Sequence, residues 1–285
     1  MPLVIFSGGF FLFLKTITIT NKNMSILFSG DFHANAVNEL DSITKNALLE
    51  KYEQEKYSGI KYHVILGDGG FMWQGNHKAD LFNYKVLAHR PFPVLCVIGN
   101  HEPILGMNDI PETDIGIGET VYQINAEPFV AYLKRGKVYT IEGIKFLVLG
   151  GALSVDRAIR RPNKTWWEKE YWTEQEERDV FKLLEIENSF DCVISHTGPH
   201  HVNKRLFEYV SLSAEKFFDE VAFLNDEIYN KIKFQEWWCG HWHKNCYYFD
   251  KEKKHGYQYL YKTTKILEKT DYGLKVHNEY AEVKR

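Results

Sequence analysis

Five short segments of this chain each follow a strand-like apolar run and each offer side chains that bind metals or transfer protons. The carboxyl ends of neighbouring strands are a natural gathering place for carboxylates, carboxamides and imidazoles. The segments therefore predict one shared site at the edge of a β-sheet. They are Gly30-Asp31-Phe32-His33, Gly67-Asp68-Gly69-Gly70, Gly99-Asn100-His101-Glu102, Ser195-His196 and Gly240-His241-Trp242-His243.

The spacing within these segments favours a metal site. Asp31 and His33 are two residues apart, as are His241 and His243. In extended backbone such residues point to the same side, so each pair is expected to face one metal cluster. A glycine precedes the first ligand in four of the five segments, which fits a chain that turns sharply as the strand ends. One motif alone would be an ordinary turn, but five in this order predict a site for two metal ions.

Apolar strand-like runs alternate along the chain with polar stretches of helical spacing. This alternation predicts an α/β protein. Helices are expected at residues 35–57, 79–89 and 173–188, and loops over the metal face at residues 106–118 and 198–209. The predicted strands cover residues 63–66, 94–98, 145–149, 191–194 and 234–239, with a first strand opening at Met24.

The motif order Asp-x-His, Gly-Asp, Gly-Asn-His-Glu, His and Gly-His-x-His resembles the calcineurin-like metallophosphoesterases, from about Met24 to at least His243. The resemblance implies a four-layer α/β/β/α sandwich and two divalent ions. Mn²⁺, Fe²⁺/Fe³⁺ and Zn²⁺ are all acceptable to a His/Asp/Asn site. By the same resemblance one ion is held by Asp31, His33 and His243, the other by Asn100, His196 and His241, and Asp68 bridges them.

The resemblance also implies a reaction. Two metals that clamp a phosphoryl group generate a hydroxide nucleophile at neutral pH and stabilise the attacking and leaving oxygens. In the family pattern the histidine after the asparagine, here His101, is no ligand but protonates the leaving alkoxide. The expected activity is hydrolysis of a phosphomonoester or phosphodiester, with a phosphorylated small molecule or nucleotide as substrate. A nuclease of the same superfamily and an inactive scaffold are the alternatives.

One stretch departs from the protein Ser/Thr phosphatase branch of the family. There the second motif continues to an aspartate that orients the catalytic histidine and an arginine that binds phosphate. Here the stretch reads Gly69-Gly70-Phe71-Met72, which argues against a protein phosphatase. Glu102 either orients His101 instead or points to solvent as an ordinary loop carboxylate, and the sequence leaves both open.

Three arginines follow another strand-like run. Residues 150–157, with further basic and tryptophan residues behind them, resemble a segment of small bacterial and phage-encoded members of the superfamily. Guanidinium forks match phosphate oxygens bidentately, so Arg157, Arg160 and Arg161 are candidate substrate-binding residues. Each arginine alone is more often part of a solvated turn, with one paired to Asp156. We expect at least one of the three to reach substrate.

Length and charge are consistent with one enzyme domain. Ligands spread from Asp31 to His243 must meet, which predicts a single domain over residues 24–285. Residues 1–23 are expected to be an extension with no catalytic role. A formal net charge of −3 gives no general attraction to nucleic acid or to anionic membranes, and disfavours the nuclease alternative. No stretch reaches the roughly twenty apolar residues of a membrane span.

The cysteines point to the compartment. Cys96 and Cys192 lie inside apolar strand-like runs, and all four cysteines are too widely spaced for a zinc knuckle. They are expected to be small buried hydrophobes in a reducing environment, which predicts a cytoplasmic protein.

Overall fold

Two β-sheets contain the fourteen strands found in the part of the chain that the structure describes. The computed structural model describes residues 25–33, 59–72, 80, 92–104, 110–127, 129–209 and 218–278. The first sheet contains β1 (Ser25–Ser29), β2 (Ile60–Ile65), β3 (Val94–Val97), β4 (Glu112–Thr113), β5 (Val121–Asn125), β6 (Val130–Leu133), β13 (Thr264–Thr270) and β14 (Gly273–Asn278). The second contains β7 (Lys137–Ile141), β8 (Ile144–Leu149), β9 (Cys192–Ser195), β10 (Glu236–Cys239), β11 (Cys246–Asp250) and β12 (His255–Tyr259).

Parallel pairing at the centre of both sheets positions the site. The strand order is β14-β13-β1-β2-β3-β6-β5-β4 in the first sheet and β11-β12-β10-β9-β8-β7 in the second. β1, β2 and β3 run parallel, and so do β8, β9, β10 and β12. Parallel neighbours end at the same edge, so the residues that follow β1, β2 and β3 emerge together, as do those that follow β9 and β10.

The main hydrophobic core lies between the two sheets. The central strands are apolar on both faces because each face is covered, which is typical of parallel strands. Phe28 of β1 and Trp238 of β10 meet across this core with ring centroids 4.8 Å apart. Other buried side chains of this core are Ile26, Val64, Leu66, Leu95, Val97, Tyr139, Phe146, Val148 and Ile194.

Among the described residues, three helices pack on the outer face of the second sheet: α1 (Glu174–Ile186), α2 (His200–Tyr209) and α3 (Glu220–Tyr229). Their buried residues share a cluster with that sheet, including Val180, Leu184, Val202, Leu206, Val221 and Ile228. The helix predicted at 173–188 is confirmed by α1. The loop predicted at 198–209 is wrong, because α2 occupies it. Val202 and Leu206, one helical turn apart, form an apolar stripe that is buried against the sheet. Polar residues surround them in the sequence, so the helical spacing is difficult to recognise there.

The α/β class is confirmed, with strands at all six predicted runs. One helical layer and two sheets are described. The helices predicted at 35–57 and 79–89, which would supply the fourth layer, lie outside the described residues apart from Asp80. Of the predicted loop at 106–118, residues 110–118 are described and contain the short β4. No helix in the described ranges is long and apolar enough to cross a membrane.

Candidate metal centre

The five predicted segments meet where the parallel strands of both sheets end. Asp68, which follows β2, lies among them. Its Oδ2 lies 3.3 Å from Nε2 of His196, which follows β9 of the second sheet. The same oxygen lies 3.7 Å from Nε2 of His101 and 4.0 Å from Nδ1 of His33. Three sets of side chains bring their ligand atoms within 4.8 Å of one another: Asp31, His33 and His243; His33, Asp68 and His101; and Asp31, Asp68 and His196.

The backbone reaches this arrangement by left-handed turns. The φ angles are 53° at Asp31, 52° at His33 and 51° at Asp68, and they are 67° at His241 and 50° at His243. The expectation that each i, i+2 pair faces the site through extended backbone is therefore wrong. Positive φ at a residue with a Cβ costs roughly 1–3 kcal/mol and persists only where surrounding structure enforces it. Here it aims both side chains of each pair at the centre.

His33 and His243 face each other on one side of the centre. Their Nε2 atoms lie 2.8 Å apart, and Asp31 is close to both. Burial lowers the pKa of both histidines, so each ring is neutral near pH 7. At this distance one Nε2 donates a hydrogen bond to the other, with the roles set by the tautomers, and in the tautomers with both Nε2 atoms unprotonated the two lone pairs would be available to one cation. This side of the centre therefore fits a divalent metal ion.

His196, Asn100 and His241 lie on the other side. Nδ1 of His196 donates to the backbone oxygen of Leu66 at 2.8 Å, which directs Nε2 toward the centre, 3.0 Å from Oδ1 of Asn100. The ring of His241 lies 5.1 Å from that of His196. Nε2 of His241 is buried without a hydrogen-bond partner among the described residues, and burial holds its pKa well below the ordinary value. An unpaired buried nitrogen of this kind fits a metal ligand.

The two aspartates concentrate negative charge in a buried place. Both carboxylate oxygens of Asp31 are buried without hydrogen-bond partners among the described residues, and burial raises the pKa of this carboxyl well above its usual range. Burial opposes ionisation of Asp68 too, but His196 and His101 outweigh it and hold its pKa well below normal. Burial likewise lowers the pKa of His196, yet Asp68 and Asp31 raise it to about 10. The raised pKa values of Asp31 and His196 are those of buried groups that interact with one another without a metal, and divalent ions, when bound, would balance both carboxylates.

His101 lies beside the metal-binding side chains, and its backbone is hydrogen-bonded to one of them. Its backbone N–H donates to Oδ1 of Asp68 at 3.0 Å. Its ring contacts the guanidinium of Arg160, with Nη1 2.6 Å from Nδ1 and Nη2 2.8 Å from Nε2. Burial lowers the pKa of His101 to about 4; Asp68 opposes this change and Arg160 adds to it.

The three candidate arginines differ in position. Arg160 contacts His101 and also pairs with Asp156. Arg157 lies over the ring of Trp166, 4.2 Å from its centroid, and donates to the hydroxyl of Tyr171. The side chain of Arg161 is exposed on a turn. The structure therefore brings Arg160 to the metal centre, whereas Arg157 packs on aromatic rings.

Glu102 binds backbone N–H groups inside the protein, so the expectation of a solvent-exposed loop carboxylate is wrong. It is buried rather than solvated. Its carboxylate accepts hydrogen bonds from the backbone N–H groups of Asp68, Gly69 and Gly99 at 3.1, 2.6 and 2.6 Å. Burial and Asp68 raise its pKa to about 8, and two of these N–H donors oppose the change. Glu102 thus connects the loops that follow β2 and β3.

Ser154 and Glu170 lie behind Asn100 and were not candidates from the sequence. The hydroxyl of Ser154 accepts from Nδ2 of Asn100 at 2.9 Å and donates to Oε2 of Glu170 at 2.5 Å. Ser154 lies within residues 150–157, a stretch that the sequence analysis singled out without naming this serine as a site residue. Glu170 carries no local signal, because a glutamate in a polar stretch is usually solvated.

Comparison with known proteins agrees with this geometry. The family model described as calcineurin-like phosphoesterase matches residues 24–259, and the chain belongs to this family. It is a hydrolytic phosphoesterase with a candidate divalent-metal site. A search of curated proteins finds no match.

The solved structures found by comparison are distant in sequence. TT1561 of Thermus thermophilus is 10% identical, with 90% of this chain and 99% of that chain covered and a TM-score of 0.45. The phosphopantetheinyl hydrolase PptH of Mycobacterium tuberculosis is 10% identical, with 85% and 91% covered and a TM-score of 0.42. The 5'-nucleotidase precursor of Thermus thermophilus is 15% identical, with 90% and 53% covered and a TM-score of 0.40.

Proposed function

We propose that this protein is a two-metal hydrolase of phosphomonoesters or phosphodiesters. The observation that carries the proposal is the convergence of two buried aspartates with inward-facing histidine and asparagine side chains at the ends of both sheets. Asp31 and Asp68 are 0% and 1% exposed, and no cationic side chain other than histidine lies within salt-bridge distance of either among the described residues. Divalent ions would balance this charge and leave a small positive excess for an anionic phosphoryl group.

The side chains divide into two ligand sets with one shared carboxylate. The first set has the 2.8 Å approach between His33 and His243, and the second has the 3.0 Å approach between His196 and Asn100. The ions, when bound, would polarise the phosphoryl oxygens and lower the pKa of a water that supplies the nucleophile. Mn²⁺, Fe²⁺/Fe³⁺ and Zn²⁺ each suit these donors. We assign one ion to Asp31, His33 and His243, the other to Asn100, His196 and His241, and Asp68 to both.

His101 and Arg160 are assigned to the substrate. A phosphoryl group at the centre would lie beside the His101 ring, from which a proton reaches the leaving oxygen. In the free site this ring is neutral near pH 7, and the negative charge of a bound phosphate ester favours its protonation. The guanidinium of Arg160, already in contact with the ring, is placed to bind a phosphate oxygen.

The substrate class follows from the charge of the molecule. A formal net charge of −3 provides no general attraction to nucleic acid, so we assign a phosphorylated small molecule or a nucleotide. The four free cysteines, three of them buried, support a reducing, cytoplasmic setting.

A substrate panel tests the proposal. Chelator-treated protein is reconstituted with Mn²⁺, Fe²⁺ or Zn²⁺ and assayed on 4-nitrophenyl phosphate, bis(4-nitrophenyl) phosphate, a cyclic nucleotide and single-stranded DNA. We expect metal-dependent turnover of a small phosphoester, lost in Asp68→Ala and kept in the control Asp179→Ala, which alters an exposed aspartate on α1. Cleavage of DNA alone would replace the proposal with a nuclease. Absence of turnover on every substrate with metals bound would overturn it.

A further inference from the structure

The orientation of the Asn100 amide decides whether this residue can bind a cation. Its two ends are nearly equal in shape, but Oδ1 is an acceptor with lone pairs and Nδ2 is a donor with none to offer. A metal therefore requires Oδ1 on the side of His196, where it lies 3.0 Å from Nε2. Something must hold Nδ2 on the opposite side.

Ser154 occupies that opposite side. Its hydroxyl lies 2.9 Å from Nδ2 of Asn100 and 2.5 Å from Oε2 of Glu170, and the residue is 2% exposed. A hydroxyl has one proton, so it donates to only one of these neighbours. If that proton goes to Glu170, the hydroxyl can only accept from Asn100, and the neighbouring amide atom must be Nδ2.

Glu170 determines where the proton goes. Its Oε1 accepts from Nε1 of Trp166 at 2.7 Å and from the backbone N–H of Ser154 at 3.3 Å. Oε2 therefore faces the Ser154 hydroxyl as an acceptor. The carboxylate is 2% exposed, and burial raises its pKa while the hydrogen bonds from Ser154 and Trp166 oppose that change. The chain of donors thus runs in one direction, from Asn100 to Ser154 to Glu170.

We propose that Ser154 and Glu170 are positioning residues that direct the Asn100 carboxamide oxygen toward its metal ion. The inference rests on the proposed function, because it assumes that Asn100 is a ligand. It adds two residues from the segment between β8 and α1 to the machinery. The same segment brings Arg160 to His101, so one stretch of chain arranges both a ligand and the substrate-facing histidine.

Metal titration by calorimetry tests the inference without measuring activity. We expect wild type to bind two Mn²⁺ ions and Ser154→Ala to bind one of them about 10–100-fold more weakly, a typical loss when a group that orients a ligand is removed. Ser154→Thr keeps the hydroxyl and should bind both Mn²⁺ ions with an affinity close to that of wild type. The control Tyr139→Phe removes another buried hydroxyl, which donates to the backbone oxygen of Thr120, and should leave metal binding unchanged.

Glu170→Gln provides a second variant of nearly equal size. The indole N–H of Trp166 and the N–H of Ser154 require an oxygen at the Oε1 position, so the new amide N–H₂ faces the Ser154 hydroxyl. The Ser154 hydroxyl then has no acceptor at residue 170. Its proton can instead bond to Oδ1 of Asn100, which favours the flipped amide. We expect the same ion to be weakened. Should Ser154→Ala fail to fold, this variant decides the question.

A double-mutant cycle tests whether Ser154 affects metal affinity through Asn100. If Ser154 acts through Asn100, Ser154→Ala should add nothing to the loss already caused by Asn100→Ala. Additive losses, or unchanged Mn²⁺ affinity in both Ser154→Ala and Glu170→Gln, would overturn the inference. Failure of wild type to bind two ions would instead contradict the proposed function.

Discussion

At the residue scale, substitution of His101 tests whether metal binding and proton transfer depend on different residues. Its backbone is tied to Asp68, but its ring points at Arg160 and carries no assigned ligand atom. His101→Ala should therefore keep both metals and lower kcat more than substrate affinity, since the lost interaction forms mainly in the transition state. An alkyl ester, whose alkoxide leaves poorly without a proton, should lose roughly 10²–10⁴-fold.

The leaving group provides the comparison that identifies the acid. A nitrophenyl ester of the same phosphate class departs easily as an anion and should lose much less. His277→Ala removes a histidine paired with Glu268 on β13 and should leave both rates unchanged. Steady-state kinetics on the two esters measure the effect. Equal losses on both, with metals retained, would show that His101 positions phosphate and donates no proton.

At the element scale, α1 begins with a capping box that also helps to hold the segment between β8 and α1. Thr173 accepts from the backbone N–H of Glu176, whose carboxylate accepts from the N–H of Thr173 at 2.8 Å. The same carboxylate binds Arg135 through two nitrogens at 2.7 and 2.8 Å. Arg135, a buried residue, also donates to the backbone oxygens of Lys169 and Tyr171, on either side of Glu170.

This double use predicts unequal costs for two substitutions in one capping box. Thr173→Ala should lower the free energy of unfolding by about 1 kcal/mol, the typical cost of losing an N-cap side chain. Glu176→Ala should cost about 3 kcal/mol, because it also leaves the buried Arg135 guanidinium without its carboxylate. Urea denaturation of both variants measures this difference. Equal costs would mean that the Arg135 pair contributes nothing beyond the cap.

At the scale of the whole molecule, truncation tests the proposed N-terminal boundary of the catalytic domain at Met24. β1 begins at Ser25 and is paired on both sides, with β2 and with β13, and every assigned ligand lies after it. Protein that starts at Met24 should therefore fold, bind metal and keep activity close to that of the full chain. Circular dichroism, metal analysis and turnover check this.

A second truncation provides the matched control. Protein that starts at Ser29 lacks Ile26 and Phe28, both fully buried between the sheets, and should not fold. If the Met24 protein is insoluble or loses its metals in the same way, residues 1–23 belong to the core and the proposed boundary is wrong.

The sequence by itself determined the class of fold and the meeting of the five segments. Apolar runs followed by Asp, Asn and His predict strands with polar ends, and parallel strands bring such ends to one edge. These are properties of neighbouring residues, so they can be recognised in one chain. The same local pattern indicated the segment that contains His101 and the stretch that contains Arg160, although it could not choose between Arg160, Arg157 and Arg161.

Tertiary structure alone decided the features that depend on residues distant in the chain. The left-handed turns at Asp31 and Asp68 cost energy locally and persist because both residues are buried in surrounding structure that holds them. α2 forms at residues expected to be a loop because its apolar stripe has a sheet to cover. Ser154 and Glu170 became part of the site because Asn100, 54 residues before Ser154, lies beside them only after folding. A hydrogen bond between such distant residues leaves no periodic trace in the sequence, since neither residue type predicts the other.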